Sequence, residues 1–328
     1  MDYAYFPGCS LESTGIEFHM SAKAVTKALG INLIEIPDWN CCGASSAHTR
    51  GHWISLALPA RNMAIAEAAK NAGFDMLLTG NNHSFDTGLE GYDNIHSLTA
   101  SHPEQHFLSG VLAAKMLLES EDAKIDNTNK TLGFIGSMDT SGINDFLVGY
   151  LEGVKYVDPE ITVLCSYVGS FEDVTKCMEM TTQLYNQGAQ IVYAPVSQSI
   201  LGAATASSNC DKYLIACDQD LYTQLSESDA NMARNIVTSS LKNVGESLVT
   251  AVKSLKDGSM VMGNNYTLGL DSGAVGLAKN ANYEALVSES IRAYVEEVEA
   301  KIIAGEIAVS SAFTMSTEEV VALRDSMN

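Results

Sequence analysis

Three thiols near the N-terminus, Cys9 and the adjacent pair Cys41-Cys42, are the side chains best suited to chemistry. Vicinal thiolates joined by a third from a neighbouring loop suit a soft metal or an iron–sulfur cluster. His48 and His52 stand close behind and offer imidazole nitrogens. The same three cysteines equally suit a role as small buried side chains, the commonest use of a free cysteine. The full set, with Cys165, Cys177, Cys210 and Cys217, is odd in number, which fits reduced thiols or metal ligands better than a disulfide framework. No Ser-His-Asp ordering, phosphate-binding P-loop or zinc-protease helix occurs.

The elements that carry these residues follow from apolar periodicity and turn residues. An aromatic run at 3–6, stopped by Pro7-Gly8, reads as a strand, and 16–29 as a helix closed by Gly30. A strand at 31–36 stops at Pro37-Asp38. A helix at 54–72 follows, then a short apolar strand at 76–78 between Gly73 and Gly80. This is a βαβαβ unit, half of a doubly wound sheet. Ligands of such sheets sit at the carboxyl ends of strands, where Cys9 and Cys41-Cys42-Gly43 fall.

Alternation continues beyond the polar stretch 81–91. Strands are expected at 95–98, 131–135, 161–167, 190–195, 212–217, 236–238 and 266–270. Helices are expected at 107–118, 142–156, 174–187, 199–207, up to 255, and 283–303.

At 328 residues, with 46% hydrophobic and 18% charged residues, the chain has a globular balance and room for two domains. A formal net charge of −21 argues against a nucleic-acid phosphate binder and disfavours an anionic membrane surface. The start Met1-Asp2-Tyr3-Ala4-Tyr5 lacks the basic residues and apolar core of an export signal, and no apolar run approaches the roughly 20 residues of a membrane span. A cytoplasmic location is therefore expected for the chain as written, unless a leader has been removed.

Four stretches of the first quarter resemble one family: Tyr5-Phe6-Pro7-Gly8-Cys9-Ser10, Lys27-Ala28-Leu29-Gly30-Ile31, Ile36-Pro37-Asp38-Trp39-Asn40-Cys41-Cys42-Gly43-Ala44 and Leu58-Pro59-Ala60-Arg61-Asn62. They are similar to the cysteine-rich CCG domain of the heterodisulfide reductases. The resemblance implies a [4Fe–4S] site in which Cys9, Cys41 and Cys42 are the first three ligands. A later Cys-x-x-Cys pair should follow the third strand. Gly80 and His83 stand at those positions, so His83 is the one substitute ligand available.

The remainder resembles the basic membrane protein family of nucleoside-binding ABC-importer lipoproteins. The resemblance rests on ordered matches such as Asn94-Ile95-His96-Ser97-Leu98-Thr99, Gly133-Phe134-Ile135-Gly136-Ser137-Met138-Asp139, Tyr167-Val168-Gly169-Ser170-Phe171 and Lys301-Ile302-Ile303-Ala304-Gly305-Glu306-Ile307. It implies a two-lobed type I periplasmic-binding-protein fold of doubly wound parallel α/β sheets, with the βαβαβ unit of residues 1–80 standing as half of lobe 1. Residues 81–328 would supply the rest of lobe 1 and lobe 2, the chain crossing between lobes.

By that resemblance the function is binding of a purine nucleoside or related small polar ligand, without catalysis, in company with an ABC-transporter permease and without a cofactor. Asp218 and Lys242 are the implied ligand residues, with Phe171, Asp139 and Ser197 as further positions at strand ends. Ser197 lies in Val196-Ser197-Gln198-Ser199, where the family has a glycine-rich loop. Two other readings stand beside it: a redox protein with a metal or iron–sulfur cluster at Cys9, Cys41, Cys42 and His83, and a hybrid of two families joined at 73–81 with neither activity.

Overall fold

The computed structural model describes residues 2–7, 16–28, 30–36, 38–40, 77–79, 97–100, 102–259 and 265–327, with helical residues 57–58, 61–62, 64–65 and 68. The chain divides into two compact units, Met1–Ala100 with Asn243–Leu268, and Ser101–Lys242 with Gly269–Asn328.

The first unit opens with β1 (Asp2–Phe6), α1 (Ile16–Ala28), β2 (Asn32–Glu35) and β3 (Leu77–Thr79). The three strands form a parallel sheet in the order β2-β1-β3, with Tyr5 opposite both Glu35 and Leu78. Tyr5 anchors it: the ring is buried and its hydroxyl lies 3.1 Å from His19 Nδ1 on α1. Gly30 takes a left-handed conformation, φ 73°, and lets the Ile31 amide return to the Thr26 carbonyl at 2.8 Å, which ends α1 and starts β2. A fourth strand, β4 (Ser97–Ala100), belongs to a separate parallel pair.

The second unit begins with α2 (His102–Glu119), β5 (Thr131–Gly136), α3 (Ser141–Val157), β6 (Thr162–Tyr167), α4 (Val174–Asn186) and β7 (Ile191–Tyr193). It continues through α5 (Ile200–Cys210), β8 (Tyr213–Asp218), the short helices α6 (Leu221–Leu225) and α7 (Ala230–Ala233), and β9 (Ile236–Lys242). The chain then gives α8 (Val244–Asp257) and β10 (Asn265–Leu268) to the first unit, where β10 pairs with β4. It finishes the second unit with β11 (Val275–Leu277), α9 (Ala281–Leu286), α10 (Glu289–Ile303) and α11 (Thr317–Asp325).

The six strands of this second sheet run in the order β11-β9-β8-β7-β5-β6, parallel except for β11. From β5 the chain adds β6 on one side and later β7 on the other, so the strand order reverses at the β5/β7 boundary. Residues alternate across the sheet. Ile135, Val192, Ala194, Leu214, Ala216 and Ile236 pack with Cys177, Leu184 and Ala203 of α4 and α5. Phe134 and Tyr193 share the other face, where their rings pack on Tyr150 of α3 and on each other. Burial of both faces explains the near-continuous apolar runs of these strands.

Helices α2 and α3 meet backbone to backbone. A Cβ placed on Gly153 would lie 2.1 Å from the Phe107 carbonyl oxygen, and one on Gly110 2.2 Å from that of Tyr150. Only glycine permits this approach, and it brings the start of α2 down onto the sheet.

Two expectations need correction. The helix expected at 283–303 is two helices: Val287 is extended, and the Ser288 hydroxyl caps α10 through the Ile291 amide. The C-terminal stretch, for which no element was expected, contains α11, opened by a reciprocal capping box between Ser316 and Glu319. This helix packs Val320 and Leu323 with Ala312 on Val148. Just beyond it, the Met327 carbonyl accepts the Val163 amide of β6 at 2.6 Å. No helix among the described residues is long and apolar enough to cross a membrane.

Candidate functional site

Five parallel strands of the second unit end at one edge of its sheet, and the five expected ligand residues lie there. Asp139 follows β5, Phe171 follows β6, Ser197 follows β7, Asp218 ends β8 and Lys242 ends β9. At the point of strand reversal the edge is stitched by backbone. The Ser137 amide donates to Pro195 at 3.2 Å, and the Ser137 carbonyl accepts from Gly169 at 2.7 Å and Ser170 at 3.1 Å. The Ser137 hydroxyl is fully buried there without a partner among the described residues.

Asp218 and Lys242 are brought together. Lys242 Nζ lies 3.5 Å from Asp218 Oδ1 and 5.0 Å over the Phe146 ring. The lysine side chain is only 13% exposed and the aspartate 42%, so the cation is held inside and the anion looks outward. A third charge stands behind them. Asp145, beside Phe146 on α3, is buried and accepts from Ser311 Oγ at 2.7 Å and the Ala312 amide at 2.8 Å. Burial raises its pKa above the usual value, opposed by those two hydrogen bonds and by the Lys242 charge.

Backbone strain marks the same edge. Asp218 has φ 70° and Ser197 φ 54°, left-handed conformations at the ends of neighbouring strands. Of the other two non-glycine residues with positive φ among the described residues, Asp211 closes α5 as a left-handed cap and Asp38 lies in the first unit. Such conformations cost on the order of 1 kcal/mol each and persist where the surroundings fix them.

The remaining three residues are placed separately. Asp139 is exposed and accepts from Asn144 Nδ2 at 2.9 Å, while Asn144 Oδ1 accepts from the Tyr167 hydroxyl at 2.6 Å. Phe171 is half-buried, its carbonyl bonded to the Ser199 amide at 3.1 Å. Ser197 is exposed at the start of a single 3₁₀ turn.

Sequence reasoning missed what lies beneath this edge. The buried Tyr193 hydroxyl, at the end of β7, contacts His106 Nδ1, Ser240 Oγ at 2.8 Å and Cys217 Sγ at 3.5 Å. Cys217 Sγ in turn reaches Asp218 Oδ1 at 3.7 Å. Burial, reinforced by the Asp218 charge, pushes the Cys217 thiol up to about 12, and burial raises Tyr193 well above the phenol range. Both therefore keep their protons. A tyrosine and a cysteine inside apolar strands read as core, and no spacing links either to His106.

In the first unit, Cys9, Cys41, Cys42 and His83 lie outside the described residues, as do His48 and His52. The approach to Cys41 is described. Arg61 donates to the Asp38 carbonyl at 2.6 Å, its carboxylate at 2.6 Å and Asn40 Oδ1 at 2.8 Å; Asn62 and Asn40 exchange bonds at 2.7 and 3.0 Å. Arg61, without an evident partner in the sequence, fastens this loop. Among the described residues no three His, Cys, Asp or Glu side chains are grouped to hold a metal. Glycine at position 80 offers no donor, so the residues present do not fit a four-thiolate cluster.

Residues 61–311 match the family of PnrA-like ABC transporter substrate-binding proteins, and residues 3–83 match a cysteine-rich CCG domain. The two matches overlap at 61–83, around the junction expected at 73–81. Among similar proteins, basic membrane protein A2 of Borrelia garinii subsp. bavariensis is 29% identical over 220 residues, 66% of this chain and 59% of that protein. The ABC transporter nucleoside-binding protein BmpA of Lactococcus lactis subsp. cremoris is 30% identical over 237 residues, 69% of this chain and 63% of that one. The chain thus spans less than two thirds of the length of these relatives. An ABC transporter solute-binding protein of Aeropyrum pernix K1 superposes with a TM-score of 0.67 at 19% identity, covering 98% of this chain and 97% of that one. The fold is accordingly the α/β type I solute-binding fold expected from the sequence. Names that speak of membrane proteins and transporters lend the cytoplasmic expectation no support.

Proposed function

We propose that this chain, which belongs to the PnrA-like ABC transporter substrate-binding family, binds a purine nucleoside or a close relative and delivers it to a transporter. The observation that carries the reading is the Asp218–Lys242 pair at the carboxyl edge, with its anion outward and its backbone strained. Asp218 accepts hydrogen bonds from sugar hydroxyls, Lys242 donates to a ring acceptor, and Phe171 offers a stacking face. Asp139 and Ser197 add polar groups along the same edge. The relative whose name specifies nucleoside binding supports that ligand class. The chain works by binding, with no bond made or broken and no resident cofactor.

Thermal melting with adenosine, guanosine, inosine, cytidine and uridine tests this. A ligand at about 100 times its Kd raises stability by about 2.7 kcal/mol, a readily measured shift. Purine nucleosides are expected to raise the melting temperature and pyrimidine nucleosides to do so less. No shift with any of them at millimolar concentration sinks the proposal.

A further inference from the structure

Among the described residues, both side-chain contacts of the Asp218 carboxylate fall on one oxygen. Oδ1 receives Lys242 Nζ at 3.5 Å and Cys217 Sγ at 3.7 Å, and no group among the described residues bonds Oδ2. The cysteine contact is the end of a line. A neutral thiol has one proton; donated to Asp218, it leaves the sulfur lone pairs to accept from Tyr193, whose own proton is retained. The Tyr193 oxygen then accepts from His106 Nδ1, which fixes the tautomer of that ring. Every member lies on a different element: His106 on α2, Tyr193 on β7, Cys217 on β8, with Ser240 on β9 bracing the phenol. The glycine contacts between α2 and α3 set the depth of His106.

We propose that Cys217 is a positioning residue for ligand binding. The His106–Tyr193–Cys217 line ties Asp218 Oδ1 to the protein interior and leaves Oδ2 as the acceptor offered to a ligand hydroxyl. Asp218 sits in a left-handed backbone conformation, and its side chain is held by Lys242 and Cys217. Lys242 supplies charge without direction, whereas a thiol proton at a fixed site supplies direction. A polarised row of donors ending on a carboxylate also strengthens each link. This rests on the reading that Asp218 contacts the ligand.

The test measures, by calorimetry, binding of the tightest of adenosine, guanosine and inosine to the whole chain and to Cys217→Ala, Cys217→Ser, Asp218→Ala and the Cys217→Ala/Asp218→Ala double variant. Crystal structures of the two cysteine variants accompany it. Cys217→Ala is expected to lose about 3- to 10-fold in affinity, the scale of one ordinary net hydrogen bond, as suits a weak thiol donor. Cys217→Ser, which restores a donor, is expected to recover most of that loss. In the Asp218→Ala background, Cys217→Ala is expected to cost nothing more, because its effect passes through the carboxylate. Affinity unchanged in Cys217→Ala, or an equal further loss in the double variant, overturns the inference. If the unaltered chain binds none of the probes, the nucleoside reading falls separately. The Cys217→Ala structure then decides the orientation: a carboxylate that swings from its place beside Lys242 supports the inference, and one that stays overturns it.

Discussion

Lys242 Nζ and Asp218 Oδ1 stand 3.5 Å apart at the ends of adjacent parallel strands, the lysine buried over Phe146 and the aspartate half-open to solvent. Partial exposure limits what this pair adds to folding, so its two members should separate stability from binding. Asp218→Gly relieves the left-handed backbone and is expected to melt within about 1 kcal/mol of the unaltered chain. Lys242→Met keeps an apolar stem over Phe146. Both variants are expected to bind purine nucleoside at least about tenfold more weakly, the scale of a lost charged hydrogen bond. Calorimetric titration beside thermal melting checks this; a variant that melts early and binds normally contradicts it.

The α2–α3 contact has no slack. Gly153→Ala forces a methyl against the Phe107 carbonyl, 2.1 Å from its oxygen, and Gly110→Ala does the same at Tyr150. Each is expected to cost about 1–3 kcal/mol or more. Gly142→Ala, with nothing within 4 Å of the added methyl, is expected to be neutral or to stabilise by up to about 1 kcal/mol. Melting curves of the three variants give the ranking, and equal effects would refute the contact.

Asp145 makes a contribution to the pH dependence opposite in sign to that of the carboxylates with lowered pKa, Asp126, Asp158, Asp211 and Asp257. Its folded pKa lies above the ordinary 3.8, chiefly because burial disfavours the charge. The folded state therefore favours the protonated form. The penalty is absent below 3.8, grows as pH rises through the raised value, and stays constant beyond it. Asp145→Asn keeps an acceptor for Ser311 and Ala312 without the charge. Its melting temperature relative to the unaltered chain should climb as pH rises from 3.8 through the raised folded pKa and then level off. Asp145→Ala, which strands both donors, should melt lower at every pH, by about 1–3 kcal/mol. A flat difference between the Asn variant and the unaltered chain would rule out this account.

Much of this architecture was legible in the chain. Strands such as 131–135 and 190–195 declare themselves because they lie inside the second sheet with both faces buried, so their residues are mostly apolar. Asp218 and Lys242 are singled out by resemblance alone, and the topology gathers them at strand ends. The break at Val287 escaped because Ser288 is an ordinary residue whose capping role depends on the turn it sits in. The α11 capping box, Ser316-x-x-Glu319, was readable from spacing alone. The link between His106, Tyr193 and Cys217 was not: the three are far apart in sequence and each resembles core until the sheet aligns them.

The short tie between Val163 and Met327 gives the C-terminal helix a protective task. Strand β6 ends the sheet order, and an open strand edge is a template for the edge of another molecule. With the Met327 carbonyl filling the amide of Val163, the tail is expected to act as a stop against strand-by-strand polymerisation. A chain cut after Ser316 should keep most of its sheet yet assemble over hours into thioflavin-positive aggregates at concentrations where the whole chain stays dispersed. The tail would then guard the state of dispersion in which any binding takes place.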